Sequence, residues 1–112
     1  MPGSPTHGKI VYWHRELPPL SADICGEDVV EVTSRRVPGS LSRHDDAWET
    51  CHADLAAHAT NVIEQEVARL GGDYAHVKDE VIDPRHDDAT GEAWLYGRFG
   101  YVLYREPVIW SQ

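Results

Sequence analysis

The chain has few cysteines, few cations and no long apolar run, and each shortage removes a class of protein. Cys25 and Cys51 are the only two cysteines among 112 residues. They form no CxxC pair, and two cysteines at that spacing do not build a zinc site. Two reduced thiols are the ordinary reading in a cytosolic protein; a disulfide joining the loop of Cys25 to the helix of Cys51 stays open. Lys and Arg number 10 against 19 Asp and Glu, a formal net charge of −9. Phosphate contacts need clustered Lys and Arg, which argues against a nucleic-acid partner and against an anionic membrane. No apolar run approaches the length of a membrane span. Met1-Pro2-Gly3-Ser4-Pro5 has neither the basic nor the apolar region of a signal peptide, so a cytoplasmic chain is expected. GxSxG, HExxH, P-loop and GxGxxG patterns are absent. No reaction and no cofactor is implied, and a binding or structural role comes before an enzyme.

What is present describes one small domain. Residues 1–8 are rich in Pro and Gly and read as a loose terminus, leaving 9–112 for the fold. Trp48 to Leu70, closed by Gly71-Gly72, is the one long segment with helical periodicity. At about 100° per residue, Trp48, Cys51, Leu55, Ala59, Val62, Ile63 and Leu70 share a stripe. Ser42 to Asp45 resembles a capping box, and either glycine can take the left-handed conformation that ends a helix.

Four segments read as strands: Lys9–Glu16, Asp28–Arg36, Asp73–Ile82 and Glu92–Arg105. Residues 20–27, around Cys25, and the acidic stretch 83–91 read as connections. The order β-β-α-β-β makes an α+β domain. One helix lies on one face of a four-stranded, mainly antiparallel sheet, and only the connection through the helix is placed to join parallel neighbours.

Alternation sorts the last strand into two sets. Ala93, Leu95, Gly97, Phe99, Tyr101 and Leu103 suit the core, with Ala75, Val77 and Val81, and Val30 and Val32. Trp94, Tyr96, Arg98, Gly100, Val102 and Tyr104 then share the far face with Tyr74, His76, Lys78 and Ile82, joined by Tyr12 and His14. Four Trp and five Tyr give large aromatic pieces. A solvent face does not need so many, and apolar patches on soluble proteins mark contacts. The expectation is that another copy of the chain covers this face, making a homo-oligomer, with a small-molecule ligand there as the alternative. The plainer reading lays the rings flat with wet polar tips.

Candidate chemistry falls in three places. His14, His76, Tyr96 and Arg98 could meet on the far face and handle an anion or a proton. Glu66 breaks the helix stripe near its centre, which points to a partly buried carboxylate with a raised pKa, unless the helix end overhangs the sheet. Arg-His-Asp-Asp-Ala occurs twice, at 43–47 and 85–89. There His44 and Asp45, with Asp46, and His86 and Asp87, with Asp88, are candidates for a hard divalent cation, against a helix start and a hydrated turn. Cys51, Asp54 and His58, at i, i+3 and i+7, could also present three ligands.

The run from Glu66 through Leu70-Gly71-Gly72 to Val77 resembles a junction in small bacterial domains of the YbjQ-like, heavy-metal-binding type, and in an outer-membrane stress sensor. There a helix ends in a leucine-glycine-small turn and enters a core strand, and a later strand similar to Gly97–Leu103 closes the sheet. This chain departs in its first hairpin, in its aromatic density and in lacking the sensor's paired cysteines. The resemblance implies an α+β oligomer. It carries over no metal site, because no ligand motif matches residue by residue.

Overall fold

The computed structural model describes residues 9–38 and 45–107, without the side chains of 45–47. The elements run β1 (Val11–Trp13), β2 (Asp23–Thr33), β3 (Val37–Pro38), α1 (Asp45–Arg69), β4 (Tyr74–Asp87) and β5 (Glu92–Arg105). They make an α+β fold: one mixed sheet in the order β1-β4-β5-β2, with β3 also on β5 and one helix packed against it. The proposed capping box falls at 42–45 and lies largely outside the described residues.

The fifth strand is a resumption of an edge. β2 leaves β5 at Thr33, opposite Tyr96, and β3 rejoins it at Val37, opposite Ala93. Ser34 bridges the gap, donating its N–H to Leu95 O at 2.8 Å and accepting the Leu95 N–H on its hydroxyl at 2.9 Å. The parallel pair also differs from expectation. β2 and β4 both run antiparallel to β5, so they are parallel to each other but separated by it, as in a split β-α-β unit. The parallel neighbours are β1 and β4, with Val11 opposite Ala75 and Trp13 opposite Val77.

The strand limits moved for local reasons. β1 keeps three of its expected eight residues because His14 adopts φ 51° and Glu16 N–H closes a turn on Trp13 O at 3.0 Å. β2 begins earlier, at Asp23, through a bulge between Ile24 and Gly26. A glycine and two acids had hidden this stretch from strand propensity. β4 runs on to Asp87, so the acidic loop shrinks to 88–91. Pro84 is tolerated there because no described strand lies outside that part of β4. Gly91, at φ 72°, closes the hairpin with its N–H on Asp87 O at 2.7 Å. β5 occupies the expected residues.

Burial along β5 follows the expected parity: Ala93, Leu95, Gly97, Phe99, Tyr101 and Leu103 are all buried under α1 or its neighbours. On α1 the buried residues are Cys51, Leu55, Ala59, Ile63 and Val67, with Trp48, Val62 and Leu70 half-buried beside them. These five form an i+4 row, which drifts about 40° round the axis at each step. The contact line therefore winds across a twisted sheet rather than holding one fixed stripe. That is why Val67, and not Glu66, meets the core. At the helix end, Gly71 takes φ 76°. Its N–H meets Ala68 O at 3.3 Å and the next N–H, Gly72, meets Val67 O at 2.9 Å, the paired closure that an αL glycine allows.

A bulge at Lys78 reverses the faces in the second part of β4. Val77 faces Tyr101, but Asp79 faces Gly100 and Ile82 faces Gly97. Ile82 therefore packs on the core, and Val81, expected there, lies on the far face 52% exposed.

Helix and sheet approach closely at Gly97, where a Cβ would lie 2.6 and 2.9 Å from the Phe99 ring and 3.0 Å from Leu55. At Gly100, on the other face, the nearest atom would be Asp79 Cβ at 3.4 Å. Gly97→Ala is expected to cost about 1–3 kcal/mol through overpacking, and Gly100→Ala to be close to neutral. Urea unfolding of the two variants measures the difference.

Candidate interaction surface

The helix-free face of the sheet divides into three zones. At the hairpin end, the Arg36 guanidinium lies over Trp94, 4.1 Å from the ring centroid, and Arg85 lies over Tyr96 at 4.4 Å. The Tyr96 hydroxyl donates to Glu31, and that carboxylate holds its pKa above the usual phenol value. At the other end, Tyr12 and Tyr74 meet edge to face at 6.0 Å. Lys9 lies 5.5 Å from the Tyr12 centroid. Tyr74 donates to Glu106 at 3.0 Å, which raises its pKa in turn.

The middle zone is uncovered. Val102 is buried there, but Val29 and Val81 are 44% and 52% exposed, and Ile24, opposite Tyr104 at the next zone, is 63% exposed. A shallow depression of about 430 Å³ lies over Gly100, lined by Glu27, Val29, Lys78, Asp79 and Val102 among others. The chain thus covers its own rings at both ends of the face and leaves an aliphatic strip between them.

The anion or proton candidates do not form one cluster. His76 is 5% exposed, and its Nε2 donates to His14 O at 2.7 Å; facing a carbonyl, that nitrogen must carry the proton. His14 turns its own Nε2 to Glu80 at 2.6 Å. Tyr96 and Arg98 lie further along β5, opposite Asp83 and Val81. Glu66 is on α1, across the sheet. Its carboxylate is gripped by Arg69, with Nε at 3.1 Å from both oxygens and Nη2 at 2.6 Å from one. Those hydrogen bonds hold its pKa below the usual carboxylate value, the opposite of the raised value expected for a buried acid.

Of the metal candidates, His44 lies outside the described residues, and Asp45 opens α1 with its side chain undescribed. His86 Nε2 is 3.3 Å from Asp88, and Asp87 accepts the Ala89 N–H at 2.9 Å as a turn residue. Among the described residues no three His, Cys, Asp or Glu side chains converge on one point. Cys51, Asp54 and His58 do act together, though as a latch. Cys51 Sγ lies 3.9 Å from Arg35 O, Asp54 accepts the Arg35 N–H at 2.6 Å, and His58 Nδ1 donates to Thr33 O at 3.0 Å. Their spacing puts all three on the side of α1 that clamps the end of β2. Cys51 is buried near this end, while Cys25 is exposed beside Leu70 and Leu103 at the other, and both thiols are free.

Sequence reasoning missed the position of Tyr101's polar tip. Its hydroxyl is buried without a hydrogen-bond partner among the described residues. Burial first, then the Asp28 and Glu66 carboxylates, push its pKa up to about 12.

Compared with known proteins, the chain matches no family model, no curated protein and no solved structure. Among the described residues no helix is long and apolar enough to cross a membrane.

Tyr101 sets an alkaline limit. The unfolded phenol ionises near 10 and the folded one near 12, so the folded chain keeps a proton that the unfolded chain gives up. This contribution is complete below pH 10 and is lost as the pH rises towards 12; Tyr74 and Tyr96 act with the same sign. Tyr101→Phe is expected to lessen the alkaline loss. At neutral pH it should leave stability unchanged or raise it by about 1 kcal/mol, because it removes an unsatisfied hydroxyl. Melting curves across the alkaline range read both effects.

Proposed function

We propose that the chain is a self-associating binding or structural module whose contact surface is the middle of the helix-free sheet face. The observation that carries this reading is the exposure of Val29 and Val81 beside the depression over Gly100, on a face with no layer of its own. Apolar strips of this kind mark contacts on soluble proteins. A second copy is the occupant that the charges favour. Glu27 and Asp79 sit in the same patch as Lys78, and Arg98 lies opposite Val81 at its edge. A patch with both signs can pair with itself across a two-fold axis, acid to base in both directions. The resemblance to YbjQ-like domains points the same way, towards an α+β oligomer.

The depression favours a small-molecule ligand as a second reading, since its volume falls within the range of ligand pockets. It is shallow, which places this reading second.

Light scattering over a range of concentrations is the test. The wild-type chain is expected to approach a multiple of its 12.6 kDa mass, and the double variant Val29→Asp/Val81→Asp to remain at one copy with an unchanged circular dichroism spectrum. A wild-type chain that stays at one copy throughout would sink the proposal.

A further inference from the structure

β2 has a strand on one side only, among the described residues. Ser34 N–H points to Leu95 O across β5, and peptide groups alternate in direction along a strand. Asp28, Val30 and Val32 therefore turn their peptide groups to β5. Glu27, Val29, Glu31 and Thr33 turn theirs outward. Two outward groups are already engaged by side chains: Val29 N–H by Asp28 at 2.8 Å, and Thr33 C=O by His58 at 3.0 Å. The outward N–H and C=O of Glu27 and Glu31 meet no partner among the described residues.

The helix walls this edge. One hollow of about 280 Å³ is lined by Glu31, Thr33, His58 and Val62, and a second of about 240 Å³ by Cys25, Glu27, Asp28, Leu70 and Leu103, with Arg105 at its border. Val62 and Leu70 are half-buried and put apolar surface beside the strand. β2 itself carries Asp23, Glu27, Asp28 and Glu31 and no cation. On the helix side Arg69 is held by Glu66 and Arg105 by Gly71 O at 3.0 Å. The strand's four acids outnumber the cations on the other face, Arg98, opposite Glu31, and Lys78, which shares the depression with Glu27. The edge thus offers unpaired peptide groups, an apolar wall and negative charge.

That combination disfavours a second β2 in the register centred on Val29. A two-fold antiparallel pairing centred on Val29 sets Glu27 against Glu31 twice, and like charges directly opposite destabilise a strand pair. We infer that the open edge of β2 takes an extended, lysine- or arginine-bearing segment of another polypeptide as an added strand. In the bound segment, side chains alternate. Apolar ones meet Val62 and Leu70 on the helix side, and cations meet Glu27 and Glu31 on the other. Main-chain hydrogen bonds supply affinity and the alternate side chains supply selection, as in other strand-addition sites. The site uses the edge and not the open face, so it does not rest on self-association.

The probe is a short synthetic peptide alternating lysine with valine, followed by fluorescence anisotropy and by amide exchange of the full chain. Saturable binding is expected, weakened by salt, with slowed exchange at Glu27 and Glu31. Methylating the alternate peptide nitrogens that face β2 should weaken it by about tenfold or more, through loss of the added ladder. Glu27→Lys/Glu31→Lys, with an unchanged melting temperature, should do the same, and a peptide alternating glutamate with valine should not bind. Undiminished binding of the methylated peptide, unchanged exchange at Glu27 and Glu31, or no binding at all overturns the inference.

Discussion

One i+4 row of a single helix holds the fold together. Cys51, Leu55, Ala59, Ile63 and Val67 supply the buried side of α1, and they meet the buried residues of β5 and its neighbours. Burial of this apolar surface is the main favourable term available to a domain of this size. β5 lies at the centre because it alone pairs with β2, β3 and β4. With the only helix among the described residues spent on one face, the other face is dressed by side chains. Arg36 and Arg85 do so at one end, at the energy of cation–π contacts, and the Tyr12–Tyr74 pair does so at the other.

Regular elements were the part that the sequence disclosed. β5 alternates for fourteen residues without a bulge, so its limits and its two faces were readable from period 2 alone. The helix was readable from its length, although a fixed 100° stripe placed Glu66 where Val67 belongs. Irregularities were the part it concealed. An extra residue at Lys78 exchanges Val81 with Ile82, and the break between Ile24 and Gly26 lets a strand begin in what resembled a loop. Neither leaves a mark in composition, because a bulge depends on the partner strand as much as on its own residues.

The candidate sites show the same division. Cys51, Asp54 and His58 stood out by their spacing, and the spacing was meaningful: all three reach Thr33 and Arg35, where β2 ends and needs holding. What spacing could not say was that their partner is backbone and not a metal. His76 was assigned to the far face by parity, but parity does not report burial, and the short β1 brings His14 O within reach of its ring nitrogen. Glu66 resembled a perturbed acid until Arg69, three residues on, proved to be its partner, a pairing that helical spacing permits.

Charge explains why a sheet with two long open edges need not pair with itself. The outer edge of β2 carries Asp23, Glu27, Asp28 and Glu31. The part of β4 beyond β1 carries Asp79, Glu80, Asp83 and Asp87 with Lys78 and Arg85, and Pro84 interrupts it. Charged side chains and proline are the ordinary means of keeping sheet edges from joining, and acids predominate on both edges, although Lys78 and Arg85 also lie on that part of β4. The aliphatic strip around Gly100 is free of that restriction, because Lys78 and Arg98 lie beside Glu27 and Asp79. The excess of acid that gives the chain its charge of −9 is thus directional. It disfavours acidic partners at both edges, while the middle of the face, where the proposed self-association is placed, carries both signs. Discrimination of this kind is a difference between affinities, obtained by repelling one partner as much as by attracting another. It also weakens with ionic strength, since these carboxylates stand at the surface and screening acts over about 8–10 Å in physiological salt.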